Sequence, residues 1–282
     1  MPFFKETKLT ILAYLPSRLL RHLEFVLGSE HQLLAAHHWD EIETLIQAHA
    51  VSVAIIDPSS DGAGRPIELE QLMTAYPSLP VIAYVPLTPQ AFITITQLAQ
   101  TGLRHVVLYS HDDGAQRFLP LIDQVQTSPL TLRVIERLRP RLVMLPLRLA
   151  KTVENLFAEP HRYPNAQDLA TRSTIPLVRV YRAFHEAGLA TPKKVFIAAK
   201  MLKAYAYLGD PAHSVSAVSK KLGYRHTRIF SDHSTEIFNL NPSRLHTFMS
   251  EDQAVERVLN FVELNHEPIL VPEKTRIVVA QG

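Results

Sequence analysis

Short apolar runs alternate with amphipathic stretches through the first 126 residues. Residues 9–15, 51–56, 81–85 and 106–108 are runs rich in Val, Ile and Leu, the pattern of strands buried on both faces. Residues 30–36 make a poorer strand. Between these runs the period lengthens to that of a helix. In 17–27, Leu19, Leu20, Leu23, Val26 and Leu27 share one face. Residues 41–46 follow Asp40 as a cap, with Glu43 three positions on. Residues 67–76 are stopped by Pro77 and Pro80, 88–101 are ended by Gly102, and 114–125 close the series. This alternation predicts a parallel sheet covered on both faces, a doubly wound, flavodoxin-like α/β domain over residues 1–127.

Beyond Ser128-Pro129 the helical period persists. A linker helix is expected over 128–140, with Leu132, Ile135 and Leu138 among Arg133, Arg137 and Arg139, serving as a signalling or dimerising link or packing on the first domain. Pro140 is expected to restart the helix, which continues over 143–157. An all-α domain over 141–250 then shows two helix-turn-helix patterns. In the first, a helix from 166 to 172 carries Leu169 and Ala170 inward. Pro176 starts a second helix at the position where its missing N–H costs nothing. Val180, Ala183 and Phe184 form the apolar stripe of that helix, Gly188 ends it, and Leu177, Arg179 and Arg182 face outward. A connecting helix follows, with Lys193, Lys194, Lys200 and Lys203 mostly outward, broken at Asp210-Pro211. In the second pattern, Val215, Val218 and Leu222 precede Gly223-Tyr224. A helix over 225–238 follows, whose start is crowded by Arg225, His226, Thr227 and Arg228. The tail, 251–282, reads as a helix followed by short strands at 268–271 and 276–279.

Charge divides the chain at the same place. Residues 1–128 hold 7 Lys/Arg against 13 Asp/Glu, a net of −6, and residues 129–250 hold 19 against 8, a net of +11. A basic all-α half implies a polyanionic partner, and double-stranded DNA is the one that paired helix-turn-helix units suit. At such a surface the start of each second helix reads base edges, so Arg179 is placed to read a guanine, while Arg172 and Arg182 hold phosphates. The chain has no cysteine, which removes thiolate metal sites and thiol nucleophiles. No cofactor, metal site or catalytic constellation is expected. His31, His37, His38 and His49 match no metal-ligand spacing. The glycines at 62 and 64 do not open a helix as a phosphate loop would. No apolar run is long enough for a membrane span, and no secretory signal pattern stands at the start. A cytoplasmic protein with no membrane partner is expected.

Two family resemblances sharpen this reading. The run VSVAIIDPSSDGAGRPIELEQLMTAYPSLPVIAYV resembles the middle of a response-regulator receiver domain, with Asp57 where that family carries its phosphoacceptor. The family's other parts are missing here. Tyr14 and Leu15 replace the acidic pair that holds Mg²⁺, Val85-Pro86 replaces the hydroxyl, and Tyr109 replaces the lysine. The resemblance therefore implies a receiver-like fold without its phosphoryl chemistry. Asp57 reads as a turn residue, and a regulatory pocket for a small-molecule or protein signal is expected at Tyr14, Asp57, Pro86 and Tyr109. The second half resembles the C-terminal domain of the AraC/XylS transcription regulators. Leu169-Ala170, Arg182, Phe184, Gly188, Pro192, Leu222-Gly223-Tyr224, Phe230-Ser231 and Asn241-Pro242-Ser243 carry that resemblance. Asp232 and Ser234 depart from it, where the family has a basic residue and a core aromatic. The resemblances together imply a homodimeric, non-enzymatic, DNA-binding transcription regulator. The alternatives are a response regulator phosphorylated at Asp57 and an adaptor that binds no DNA.

Overall fold

The computed structural model describes residues 9–29, 31–59 and 65–264. The short strands expected at 268–271 and 276–279, and the glycines at 62 and 64, lie outside the described residues. Among the described residues the first domain is a five-stranded parallel sheet in the order β2-β1-β3-β4-β5. Its strands are β1 (Thr10–Tyr14), β2 (Gln32–Ala35), β3 (Val53–Ile56), β4 (Val81–Val85) and β5 (His105–Leu108). Helices α1 (Ser17–Leu27), α2 (Trp39–Ala48), α3 (Pro66–Ala75), α4 (Pro89–Gln100) and α5 (Ala115–Gln126) connect them. This is the flavodoxin-like order, with its switch point beside β1.

The period of two along each strand divides the core. Ile11, Ala13, Val53, Ile55, Ile82, Tyr84 and Val107 pack with Leu19, Leu23, Phe118 and Ile122 on the α1/α5 face. Leu12, Tyr14, Ala54, Ile56 and Ala83 pack with Ile42, Ile46, Leu69 and Leu98 on the face of α2, α3 and α4. One cap differs from expectation. Helix α2 begins at Trp39 and is capped by His38, and Glu41 reaches back to the His37 N–H at 2.8 Å. Glu41, rather than Glu43, thus stands three residues past the cap. Asp40 lies in the first turn, where its charge suits the helix dipole.

The second half is helical, as expected: α6 (Pro129–Leu142), α7 (Leu147–Ala158), α8 (Gln167–Ser173), α9 (Leu177–Glu186), α10 (Pro192–Leu208), α11 (Val215–Lys221), α12 (Thr227–Phe238), α13 (Leu245–Phe248) and α14 (Glu251–Val262). Pro140 does not restart a helix. It sits inside the last turn of α6, two residues from the end, where it forgoes one backbone hydrogen bond only. The break comes at Pro146, which precedes α7. Helix α6 contributes Leu130, Val134, Leu138 and Leu142 to the helical core, and α14 contributes Ala254, Val255, Val258 and Leu259. Their outer faces are tied by Arg137 to Glu256 at 2.6 Å and by Arg133 to Asp252. The expected linker is therefore a wall of the helical core, because its buried stripe meets α14 rather than the sheet.

Gly188 ends α9 with φ +68°, and a Cβ there would stand 2.8 Å from the Arg141 guanidinium. Gly188→Ala is expected to cost roughly 1–2 kcal/mol through the left-handed backbone alone, read as a lower midpoint in urea unfolding.

Candidate nucleic-acid interface and its junction with the first domain

In the first helix-turn-helix unit the turn is set by three local features. Ser173 Oγ donates back to the Leu169 carbonyl at 2.5 Å, Thr174 takes a left-handed backbone at φ 57°, and Ile175 N–H donates to Ala170 O at 3.1 Å. Arg148 donates to Thr174 Oγ1 at 2.9 Å and braces the turn from α7. Pro176 is the cap, with extended backbone, and α9 begins one residue later than expected. Val180 and Phe184 are buried, while Arg179, Arg182 and Val178 are exposed. Leu177 is not among the outward residues. It packs on the helical core and lines a cleft of about 360 Å³ shared with Tyr181, Lys193, Phe196 and His233. The helical angle explains this, since Leu177 lies three positions before the buried Val180 and shares its face. Arg172 is exposed but has partners within the chain. It donates to the Arg162 carbonyl at 2.9 Å and lies 4.5 Å from the Tyr163 ring centre.

The second unit has the same plan. Ser214 caps α11 by accepting from Ala217 N–H, and Gly223 makes the turn at φ +74°. His226 precedes α12, so the helix begins at Thr227 and Arg225 lies just outside it. Arg225, His226, Thr227, Arg228 and Ile229 are all exposed, while Phe230 is fully buried. Ser234, which stands where an aromatic was expected, is also fully buried, and its hydroxyl donates to Leu240 O at 2.8 Å, fastening the end of α12. Asp232 is exposed. The structure thus brings Arg179 and Arg182 to one helix surface and Arg225–Arg228 to another, with α10 between them.

The connecting helix departs from the sequence reading. Lys193 and Lys194 face solvent, but Lys200 and Lys203 are 5% and 9% exposed. The Lys200 amine lies 4.5 Å from the Phe196 ring centre and 5.1 Å from that of Tyr224. Near them, Glu159 is buried with His161 at 3.3 Å and Arg162 at 3.6 Å. Burial, reinforced by Lys203, Arg162 and Lys200, pushes the His161 imidazole down to about 4 despite the Glu159 carboxylate.

Of the four residues of the expected regulatory pocket, Tyr14 and Tyr109 lie on opposite faces of the sheet. Tyr14 is buried on the α2 face, edge-on to Trp39 at 5.4 Å. Tyr109 lies against the α1/α5 face, where its hydroxyl accepts from Arg18 Nε at 3.2 Å. The strand alternation that places residues 12 and 14 on one face and 107 and 109 on the other separates them. Asp57 is 2% exposed and accepts from Ser59 N–H at 2.9 Å and Ser59 Oγ at 2.6 Å, the geometry of a turn residue. Pro86 is half-buried at the end of β4.

Sequence reasoning missed two polar clusters. At the end of β5, Asp113 accepts from Tyr84 OH at 2.8 Å and Ser110 N–H at 2.9 Å, and His22 lies at 3.2 Å. Burial works against the Asp113 charge, but those partners hold its carboxyl below the usual range. The second cluster joins the domains. Asp210, after α10, accepts from Ser78 N–H at 2.8 Å and Ser78 Oγ at 2.5 Å, across 132 residues of sequence. His213 Nδ1 lies 3.1 Å from Asp210 and 3.2 Å from the Tyr207 carbonyl, while the Lys221 amine meets its Nε2. An ammonium at Nε2 assigns the ring proton to Nδ1, which donates to the carboxylate and carbonyl. Tyr76 stacks edge-on against His213 at 5.0 Å and donates its hydroxyl to Glu43 of α2 at 3.0 Å. Ala212 N–H reaches the Ala75 carbonyl, and α2 packs on α11. The first domain thus grips the first helix of the second unit. The signal for this lay in Tyr76-Pro77-Ser78 and Asp210-Pro211, which periodicity registers only as helix stops.

No family model matches the chain, and no curated protein is significantly similar to it. Among solved structures, the chain is similar to full-length FixJ from B. japonicum. Identity is 16%, covering 77% of this chain and 98% of that one, with a TM-score of 0.39. Among the described residues no helix is long and apolar enough to cross a membrane.

Proposed function

We propose that this protein is a DNA-binding transcription regulator whose helical half is an AraC/XylS-type tandem helix-turn-helix domain. The observation that carries the reading is the exposure of Arg179 and Arg182 on α9 and of Arg225 and Arg228 at the start of α12, each helix held by a short helix and a left-handed turn. The net +11 of residues 129–250 supports the same polyanionic partner. On this reading Arg179 reads a base edge, Pro176 sets the start of α9, and Arg182, Arg225, His226, Thr227 and Arg228 hold or read the duplex. Arg172, exposed beside the unit, holds a phosphate, and Leu177 supports the unit from within. The protein is cytoplasmic, catalyses no reaction and acts as a homodimer.

The first domain regulates without phosphoryl transfer. Asp57 is buried and bonded to Ser59, and Tyr14, Leu15, Val85 and Tyr109 replace the groups that would hold metal and phosphate. Its signal acts instead through the junction at Tyr76, Ser78 and Asp210. A second reading, in which the second unit makes protein contacts only, draws on Asp232 in α12 and on the docking of α2 against α11.

The test is selection of duplexes from a random library by the full-length protein. An enriched motif is expected. Arg179→Ala should weaken binding to that motif by about 1–3 kcal/mol, and discrimination should relax at one base pair only. Absence of any enriched motif would defeat the proposal.

A further inference from the structure

The cleft of about 360 Å³ beside α9 is walled by three helices: Leu177 and Tyr181 of α9, Lys193, Phe196 and Ile197 of α10, and His233 of α12. Four of these six side chains are apolar or aromatic, and Tyr181 is left 44% exposed. The end of α14 delivers the chain close to this cleft. Glu263 pairs antiparallel with Leu189, and the Leu264 N–H donates to the Gly188 carbonyl at 2.9 Å. The Lys194 amine, next in sequence to the cleft residue Lys193, lies 5.1 Å from the Phe261 ring centre. The antiparallel direction carries the chain past Gly188 towards α9. Beyond Leu264 the sequence continues through residues 265–282, and its first apolar run is Ile269-Leu270-Val271, after Glu267 and Pro268.

We propose that the apolar run at residues 268–271 docks in this cleft, with Glu267 facing Lys193, as a strap between the two helix-turn-helix units. The reach is sufficient. Helix α9 has 10 residues and is therefore about 15 Å long, while the chain from residue 264 to residue 270 can span about 20 Å. The chemistry also matches, since an apolar run meets apolar walls and a carboxylate meets the amine at the rim. In that position the strap touches α9 on one wall and α12 on another, so it fixes the spacing of the two exposed helix starts. The inference does not rest on DNA binding.

The experiment is disulfide trapping in the full-length protein, which has no cysteine of its own to confuse the result. One variant carries Tyr181→Cys with Leu270→Cys. The control carries Phe248→Cys with Leu270→Cys. Phe248 is 63% exposed and stands before α14, whose 12 residues measure about 18 Å, so a chain that does not dock reaches both positions alike. Under dilute diamide, the disulfide within one chain should form at least about tenfold faster from position 181 than from 248, because docking raises the local thiol concentration. Adding Ile269→Asp and Val271→Asp should abolish that difference, and these changes touch no residue of the helical core. Equal rates for the two pairs would overturn the proposal, as would a difference that survives the two aspartates. Disulfides formed only between chains would overturn it too, because a second copy would then fill the cleft. No duplex is present, so the outcome is independent of DNA recognition.

Discussion

Asp210→Ala should destabilise the protein by about 3–5 kcal/mol and unfold in two transitions, where the wild type is expected to unfold in one. The carboxylate is almost fully buried; its Oδ1 accepts from the Ser78 backbone N–H, and its Oδ2 accepts from the Ser78 hydroxyl and faces His213. Removing it takes the acceptor from two donors of Ser78 and leaves His213 with the Tyr207 carbonyl alone. Lys221 then loses the counter-charge that reaches it from Asp210. The loss falls on the contact between domains, so each half should keep its own core while the cooperativity between them disappears. Calorimetry reads both parts of the expectation. Asp210→Asn should lose less, since its carbonyl can still accept from Ser78. If Asp210→Ala unfolded in one transition at the wild-type midpoint, the junction would contribute nothing.

The second large effect is on acid stability. His161 ordinarily titrates near 6.5 but is held near 4 in the fold. The folded state therefore binds fewer protons than the unfolded one throughout that interval, and stability is lost as pH falls from 6.5 towards 4. The contribution is about 2 kcal/mol between pH 7 and pH 5, growing to about 3 kcal/mol at pH 4. His105 and His233, both also held low by burial, push in the same direction, so the diagnostic is a difference between proteins. His161→Gln should flatten the profile of denaturant midpoint against pH between 7 and 5 relative to wild type. An unchanged profile would mean that His161 reaches solvent and titrates normally.

Most of the fold could be read along the chain because its determinants are local. The strands announce themselves as runs such as Val53–Ile56 and Val81–Val85, and the parallel order follows from helices placed between them. Gly188 and Gly223 mark helix ends because only glycine takes those backbone angles cheaply. Local rules placed the cap of α2 two residues late, at Asp40 instead of His38, and broke α6 too early, since Pro140 is tolerated in a last turn. The expected DNA-facing arginines 179, 182, 225 and 228 do lie on the surface, for a helix buries what its stripe dictates. Leu177 turned inward for the same reason, and its outward placement was a misreading of helical angle. What no local pattern carries is the meeting of distant segments. Lys200 and Lys203 sit on a helix that is wrapped on nearly every side, so a polar residue there no longer signals solvent. The grouping of Tyr14 with Tyr109 ignored which sheet face each residue occupies. The Ser78–Asp210 contact joins two turns that look alike in sequence, as ordinary helix stops.

If the basic half binds duplex DNA through its two exposed helix starts, affinity must depend on salt. The most direct measurement is the affinity of the full-length protein for a fluorescent duplex as salt is raised from about 50 to 200 mM. Log affinity is expected to fall in a straight line against log salt. Its slope should become shallower by about one unit when Arg182, assigned to a phosphate, is changed to alanine. No binding at about 50 mM salt, or binding indifferent to salt and to Arg182→Ala, would contradict it.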